Sequence, residues 1–104
     1  MNAVPRERLA AAGAELAPAA EFFHALSNPH RLRIVLFLHD NGPTRVGELT
    51  TSLDLTVSHT SQQLRRLVKV GLVVKVAPAT YGVAGHPLWK LVRGWVVATV
   101  GSNP

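Results

Sequence analysis

The sequence contains no cysteine, which removes disulfides, thiolate metal sites, zinc fingers and thiol redox sensing at once. Acidic residues are missing from one whole half of it. Residues 55–104 carry Arg65, Arg66, Lys69, Lys75, Lys90 and Arg93 and no Asp or Glu, whereas residues 1–54 carry five basic and six acidic side chains. No apolar run approaches the roughly 18 residues of a membrane span. The opening stretch MNAVPRERLAAAGAELAPAAEFF lacks the charged start and unbroken apolar segment of a secretory signal. A soluble, unprocessed, cytoplasmic chain with no membrane partner is therefore expected. Catalytic patterns are absent too: no nucleophile with its base, no carboxylate pair and no phosphate loop. Ser58 and His59 are neighbours that point about 100° apart on a helix, so they cannot act as a pair. An enzyme is not expected.

What remains is a chain of 104 residues, 47% hydrophobic and 16% charged, with a formal charge of +5. That length fits one modest hydrophobic core, which an oligomer would reinforce. The positive second half points to a polyanionic partner, because neutralising phosphates releases counterions. A merely solubilising surface would explain the charge alone equally well.

Helical spacing dominates the first two thirds. Residues 6–16 favour helix, softened by Gly13, and Pro18 suits the first turn of a second helix with Phe22, Phe23 and Leu26 as its stripe. Ser27-Asn28-Pro29 stops it. The next helix, HRLRIVLFLHD, places Leu32, Val35, Leu36 and Leu38 or His39 on one side, widened by Ile34 and Phe37, and should be the most buried; Asn41-Gly42-Pro43 turns the chain. A short helix over Val46 to Leu53, the connection Asp54-Leu55-Thr56 and a helix to about Val70 make a helix-turn-helix, with Thr56 as cap and Gly71 as the residue that ends it. Val57, Ser61, Leu64, Leu67 and Val68 form its inward face. LVVKVA and PLWKLV read as the two strands of a hairpin around the loop APATYGVAGH, and WVVATV reads as a closing helix.

The second helix of the pair carries Ser58, His59, Gln62, Gln63, Arg65, Arg66 and Lys69 on its other face. A helix built only for solvation would more often pair Glu with Lys. Gln62 and Gln63 can reach base edges, Ser58 and Ser61 bases or phosphates, and the cations that follow suit backbone charge. Neutral donors first and cations after is the order of a recognition helix entering the major groove by its N-terminal end.

The runs FFHALSNPHRLRIVLFL and VGELTTSLDLTVSHTSQQLRRLVKVGLV resemble the ArsR/SmtB-type winged helix-turn-helix repressors of bacteria over roughly residues 20–92. The family's entry pattern ALS-x-P-x-RLRIL is matched by Ala25-Leu26-Ser27-Asn28-Pro29-His30-Arg31-Leu32-Arg33-Ile34, and its recognition segment from Thr56 through Ser58, Ser61, Leu64 and Leu67 to Gly71-Leu72-Val73. The resemblance implies a mainly α fold with a small β-hairpin wing, in the order helices, strand, helix, helix, hairpin, helix. It implies a homodimer joined through the first and last helices and bound to a double-stranded DNA operator, with Val57, Ser58, Ser61 and Gln62 reading bases and Thr56 and Gln63 near phosphates. Residues 1–17 would be a dimerising arm or helix, 18–92 the DNA-binding domain, and 93–104 a dimerising helix and tail. Two-fold symmetry would place half-sites about 34 Å apart. Leu16, Phe22, Phe23, Trp95, Val96 and Val100, apolar and near the termini, fit such an interface.

Some features depart from the family. Its Cys pair would fall in VGELTTSL and its Asp/His and His/Glu pairs in RGWVVATVGSNP, and neither stretch offers ligands. No cofactor is therefore assigned, although nickel, zinc or cobalt held by histidines stays open; His24, His30, His39, His59 and His86 are scattered and could converge only across a dimer interface, with His24 in the early helix and His86 in the wing loop as the positions to inspect. Sensing by a separate co-regulator protein is the alternative. His59 inside the recognition helix would touch DNA, and protonation would strengthen its hold on phosphate. The loop ATYGVAGH offers only Tyr81 and His86, so Lys75 and Lys90 on the hairpin strands are the expected wing contacts.

Overall fold

The computed structural model describes residues 3–101, and every side chain in that span except Val100. Six helices and three short strands follow in the order α1 (Arg6–Ala11), α2 (Gly13–Leu26), α3 (Pro29–Asn41), β1 (Thr44–Arg45), α4 (Val46–Leu53), α5 (Val57–Lys69), β2 (Val73–Ala77), β3 (Thr80–Val83) and α6 (Pro87–Gly101). This is a winged helix-turn-helix, as the sequence leads one to expect. The strands form one antiparallel sheet in the order β1-β3-β2.

Helix boundaries follow local chemistry. Asn28 caps α3: its Oδ1 accepts from the backbone N–H of His30 (2.8 Å) and Arg31 (3.2 Å), and Pro29 takes the first helical position, where a missing N–H costs nothing. Thr56 caps α5, its Oγ1 accepting from the His59 N–H at 3.1 Å. Thr56→Ala is expected to lower stability by about 1 kcal/mol, read from urea denaturation, with the loss absent in Thr56→Ser. Gly71 leaves α5 at φ +81°, a left-handed geometry that favours glycine.

The core gathers Phe22 and Ala25 of α2, Ile34, Val35 and Leu38 of α3, Leu49 of α4, Leu64 and Leu67 of α5, Leu72 and Val73 at the start of the wing, and Trp89 and Val96 of α6. Phe22, fully buried, stacks on the His86 ring at 4.8 Å between centroids.

Several elements differ from the sequence reading. PLWKLV is the start of α6 and not a strand: Pro87 stands in its first turn, and Trp89, Val92 and Val96 recur at helical spacing towards the core. The returning strand is instead Thr80–Val83, inside the stretch read as a loop, joined to β2 by a tight turn at Pro78-Ala79. Pro18 is the sixth residue of α2, not in its first turn, because the helix already starts at Gly13. The inward face of α5 is Thr60, Leu64 and Leu67; Val57 and Val68 are exposed, since a face centred on Leu64 and Leu67 turns both outward. Phe22 and Val96 belong to the core and not to a free terminal face, whereas Leu16, Phe23 and Trp95 are exposed. The Val100 side chain and residues 102–104 lie outside the described residues. No helix among those described is long and apolar enough to cross a membrane.

Candidate nucleic-acid interface

The turn between α4 and α5 is held tightly. Asp54 sits at φ 55°, ψ 53°, a left-handed position that Asp tolerates, and the Leu55 N–H donates to the Thr50 carbonyl at 2.9 Å. Arg33 of α3 reaches across to donate to the Leu53 carbonyl at 2.6 Å, capping the end of α4. On α5, the Thr60 hydroxyl is buried and bonds back to the Thr56 carbonyl at 2.9 Å, so this polar residue is satisfied inside the core. The turn and the inner face of α5 thereby fix which residues face outward.

Ser58, Gln62, Arg65 and Lys69, spaced by three or four residues, are all exposed and form one ridge along α5. Ser61 stands half-buried on the flank towards the wing, with exposed Val57 and Val68. His59, Gln63 and Arg66 stand on the flank towards α3 and α2. The sequence reading placed Ser58, His59, Gln62, Gln63, Arg65, Arg66 and Lys69 on one face and Val57, Ser61 and Val68 on the inward one; the structure divides them into a ridge and two flanks.

Gln63 is half-buried and engaged inside the protein: its Oε1 accepts from Arg31 Nη1 at 2.8 Å. His59 is half-buried as well, its ring 4.7 Å from the His30 ring in an edge-to-face contact. Arg31 is 7% exposed and also donates through Nε to the Ala25 carbonyl (2.6 Å) and through Nη2 to the His24 carbonyl (3.3 Å). One guanidinium thus joins the end of α2, the start of α3 and the recognition helix. Burial, and then the nearby Arg66 charge, lower its pKa from the usual arginine value. Nothing in the sequence distinguishes Arg31 from an ordinary exposed helix cation.

The wing completes the surface. Lys75 on β2 is exposed and pairs in register with Tyr81 on β3, and the Val46 N–H donates to the Ala79 carbonyl at 2.8 Å, tying the wing turn to α4. A small cleft between α5 and the wing is lined by Ser61, Arg65, Val68, Lys75 and Tyr81. Two hydroxyls and two cations around one cleft suit a phosphate. Tyr81 is the residue that sequence reasoning left out of the interface; its signal was a β-forming aromatic close after a Pro-containing turn. Lys90 is exposed on α6 and not on a wing strand, because its segment is helical. On the other side of the ridge, an open groove between α2 and α5 is lined by Glu21, His24, Arg66 and Lys69, among others.

Among the described residues the one salt bridge is Arg8–Glu15, far from this surface. Arg65, Arg66, Lys69 and Lys75 therefore have no carboxylate partner there, and the field that the sequence composition implies stays uncompensated.

Residues 28–75 match the family described as "Bacterial regulatory protein, arsR family". The transcriptional regulator HlyU of Vibrio vulnificus is 30% identical, with 86% of this chain and 95% of that one aligned at a TM-score of 0.66. The chain belongs to the arsR family. The transcriptional repressor BigR of Xylella fastidiosa is 25% identical, with 96% of this chain and 98% of that one aligned at a TM-score of 0.75. The HTH-type transcriptional regulator YgaV of Escherichia coli is 42% identical over 55 residues, which make up 53% of this chain and 56% of YgaV. The arsR match runs from Asn28, the cap of α3, to the middle of β2, so the family likeness is concentrated in α3, the helix-turn-helix and the first wing strand.

Proposed function

We propose that this arsR-family protein is a dimeric, sequence-specific DNA-binding regulator of transcription, acting in the cytoplasm as a repressor that an effector releases. The observation that carries this reading is the ridge Ser58, Gln62, Arg65 and Lys69: a protruding row on a firmly seated helix, neutral hydrogen-bonders first and unpaired cations after. Ser58 and Gln62, with Val57 and Ser61 beside them, read base edges in the major groove. Arg65, Lys69 and Lys75 hold phosphates, with the Ser61 and Tyr81 hydroxyls around the cleft. Thr56 orients the helix by capping it, and Gln63 supports it through Arg31; His59 and Arg66 border the interface, and Lys90 stands away from it on α6.

The dimer would use the outer face of α6, where Leu91 and Trp95 are exposed one turn apart, with Leu9, Leu16 and Phe23 of α1 and α2. In this scheme the dimerising segments 1–17 and 93–104 borrow Phe23 and Leu91 from the DNA-binding unit 18–92.

Mobility-shift titration against the protein's own promoter tests the reading. Gln62→Ala is expected to cost about 1–3 kcal/mol and relax selectivity at one base pair. Arg65→Ala should instead weaken binding to all sequences and lower the salt slope by about 0.9. No salt-sensitive binding even at low ionic strength would favour the second reading, a winged helix that works through a co-regulator protein. That reading draws on the lack of cysteine and of a three-ligand metal cluster among the described residues.

A further inference from the structure

Val57 opens α5 and is 61% exposed, outside the core cluster to which Leu64 and Leu67 of the same helix belong. Neither packing nor helix propensity accounts for it, because a β-branched residue forms helix less readily than alanine and this one gains little from burial. Among the described residues, the other large exposed apolar side chains sit on the two N-terminal helices and the segment before them, on α6, on β2 and, with Val68, at the far end of α5, about 16 Å away along the helix. The leading end of the recognition helix thus carries one rigid apolar prong among hydrogen-bonding neighbours. We propose that Val57 reads the C5-methyl group of a pyrimidine, that of thymine or of 5-methylcytosine, on the floor of the major groove; the inference rests on the DNA-binding reading above.

The groove offers one partner of matching chemistry. An isopropyl group neither donates nor accepts a hydrogen bond, and of the groups that distinguish the four bases in the major groove all are donors or acceptors except the thymine methyl. Cytosine presents a bare C5–H at the same place, and methylation makes it the equivalent of thymine. The seat of Val57 is firm. The Thr56 hydroxyl accepts from the His59 N–H at 3.1 Å, and the Thr56 carbonyl accepts from the Thr60 N–H at 3.0 Å and from the Thr60 hydroxyl at 2.9 Å. The first turn of α5 is therefore fixed, and a helical valine has one strongly preferred χ1 rotamer. Little order has to be gained when the two methyl surfaces meet.

The helix also sets where the pyrimidine lies. Gln62 is five residues beyond Val57, about 7.5 Å along the axis, and stacked base pairs are about 3.4 Å apart. The methyl-bearing pyrimidine therefore falls within about two base pairs of the pair that Gln62 reads. Ser58 stands next to Val57, and Ser61 lies one turn on along the same flank, so hydroxyls border the contact and serve the neighbouring base edges. Burying one methyl is worth a factor of about four in affinity for each half-site and of about fifteen for two. By this contact alone thymine and 5-methylcytosine are equivalent, so methylating a cytosine at that step should tighten binding by the same factor.

Duplexes that the full native chain selects from a randomised pool supply the operator, and the loss of selectivity in Gln62→Ala marks the base pair that Gln62 reads. Each thymine within about two pairs of it is then replaced in turn by uracil, cytosine and 5-methylcytosine, and affinities are measured by fluorescence anisotropy at one fixed salt concentration. At one position in each half-site, thymine is expected to outbind uracil, and 5-methylcytosine to outbind cytosine, by about fourfold. Both ratios should fall to about one in Val57→Ala and persist in Val57→Ile, with the folding of each variant checked by circular dichroism. Should Val57→Ala fail to fold, Val57→Thr takes its place, since exchanging one methyl for a hydroxyl must lower both ratios. Selected duplexes with no thymine preference near that pair, equal affinity for thymine and uracil throughout, or a ratio that survives in Val57→Ala overturns the proposal and leaves the DNA-binding reading standing. So does a gain for thymine over uracil that 5-methylcytosine does not reproduce over cytosine, because the effect then comes from the duplex and not from the methyl contact. Failure of the native chain to bind any duplex overturns both.

Discussion

Arg31→Ala is expected to lower folding stability by about 3–5 kcal/mol and the thermal midpoint by more than about 10 °C. The guanidinium is nearly fully buried with no carboxylate beside it; the charge is held by the Ala25 and His24 carbonyls and by Gln63. Truncation strips the Ala25 carbonyl and the Gln63 Oε1 of the donor at once, while the His24 carbonyl keeps the Ser27 N–H and hydroxyl. Arg31→Lys should recover less than half of the loss, because an ammonium on a flexible stem cannot reproduce a planar fork aimed at two helices. Gln63→Leu removes one acceptor only and should cost about 1–3 kcal/mol. Urea denaturation of the three variants checks the ranking. An Arg31→Ala protein within 1 kcal/mol of the native chain would mean that the network carries no net stability.

Introducing negative charge on the outer face of α6 should have the largest effect on DNA binding while sparing the fold. Leu91 is 79% exposed and Trp95 74% exposed in the single chain, so Leu91→Glu with Trp95→Glu removes almost no packing within the protomer. In a dimer that buries both residues, two pairs of carboxylates would meet an apolar surface, which is prohibitive without partners. The doubly substituted chain is expected to sediment as a monomer with an unchanged circular dichroism spectrum. Operator affinity should fall by about 10²–10⁴, because the second half-site is then no longer presented at high effective concentration. A dimer that persists in analytical ultracentrifugation would place the interface elsewhere.

The helix-turn-helix was legible almost to the residue, because its limits are set by local chemistry: Thr56 caps, Gly71 takes a left-handed angle, and Leu64 and Leu67 keep helical spacing. The wing was legible in kind but not in place. PLWKLV has β-forming side chains and becomes a helix because Trp89 and Val96 find the core only at helical spacing; tertiary packing overrides local preference. Thr80 to Val83 was hidden by the Pro and Gly around it, although Tyr81 and Val83 are good strand residues. On the candidate interface, the exposed ridge could be read from composition and period. The engagement of Gln63 with Arg31 and of His59 with His30 could not, since both depend on how α3 crosses α5, which no local pattern encodes.

The order β1-β3-β2 leaves β2 at an open margin of the sheet, with Val74 and Val76 exposed on it. Such a row of unpaired backbone groups beside apolar side chains invites strand-by-strand aggregation between molecules. The pairing of β2 with β3 is irregular between Lys75 and Ala77, where Val76 is the extra residue, and a bulge of this kind bends and twists a strand. With Lys75 next to it, the margin offers no flat length on which another copy could add a strand. The irregularity that aims the wing therefore also protects solubility, and shortening the strand by deleting Val76 would trade a shaped wing tip for a sticky one.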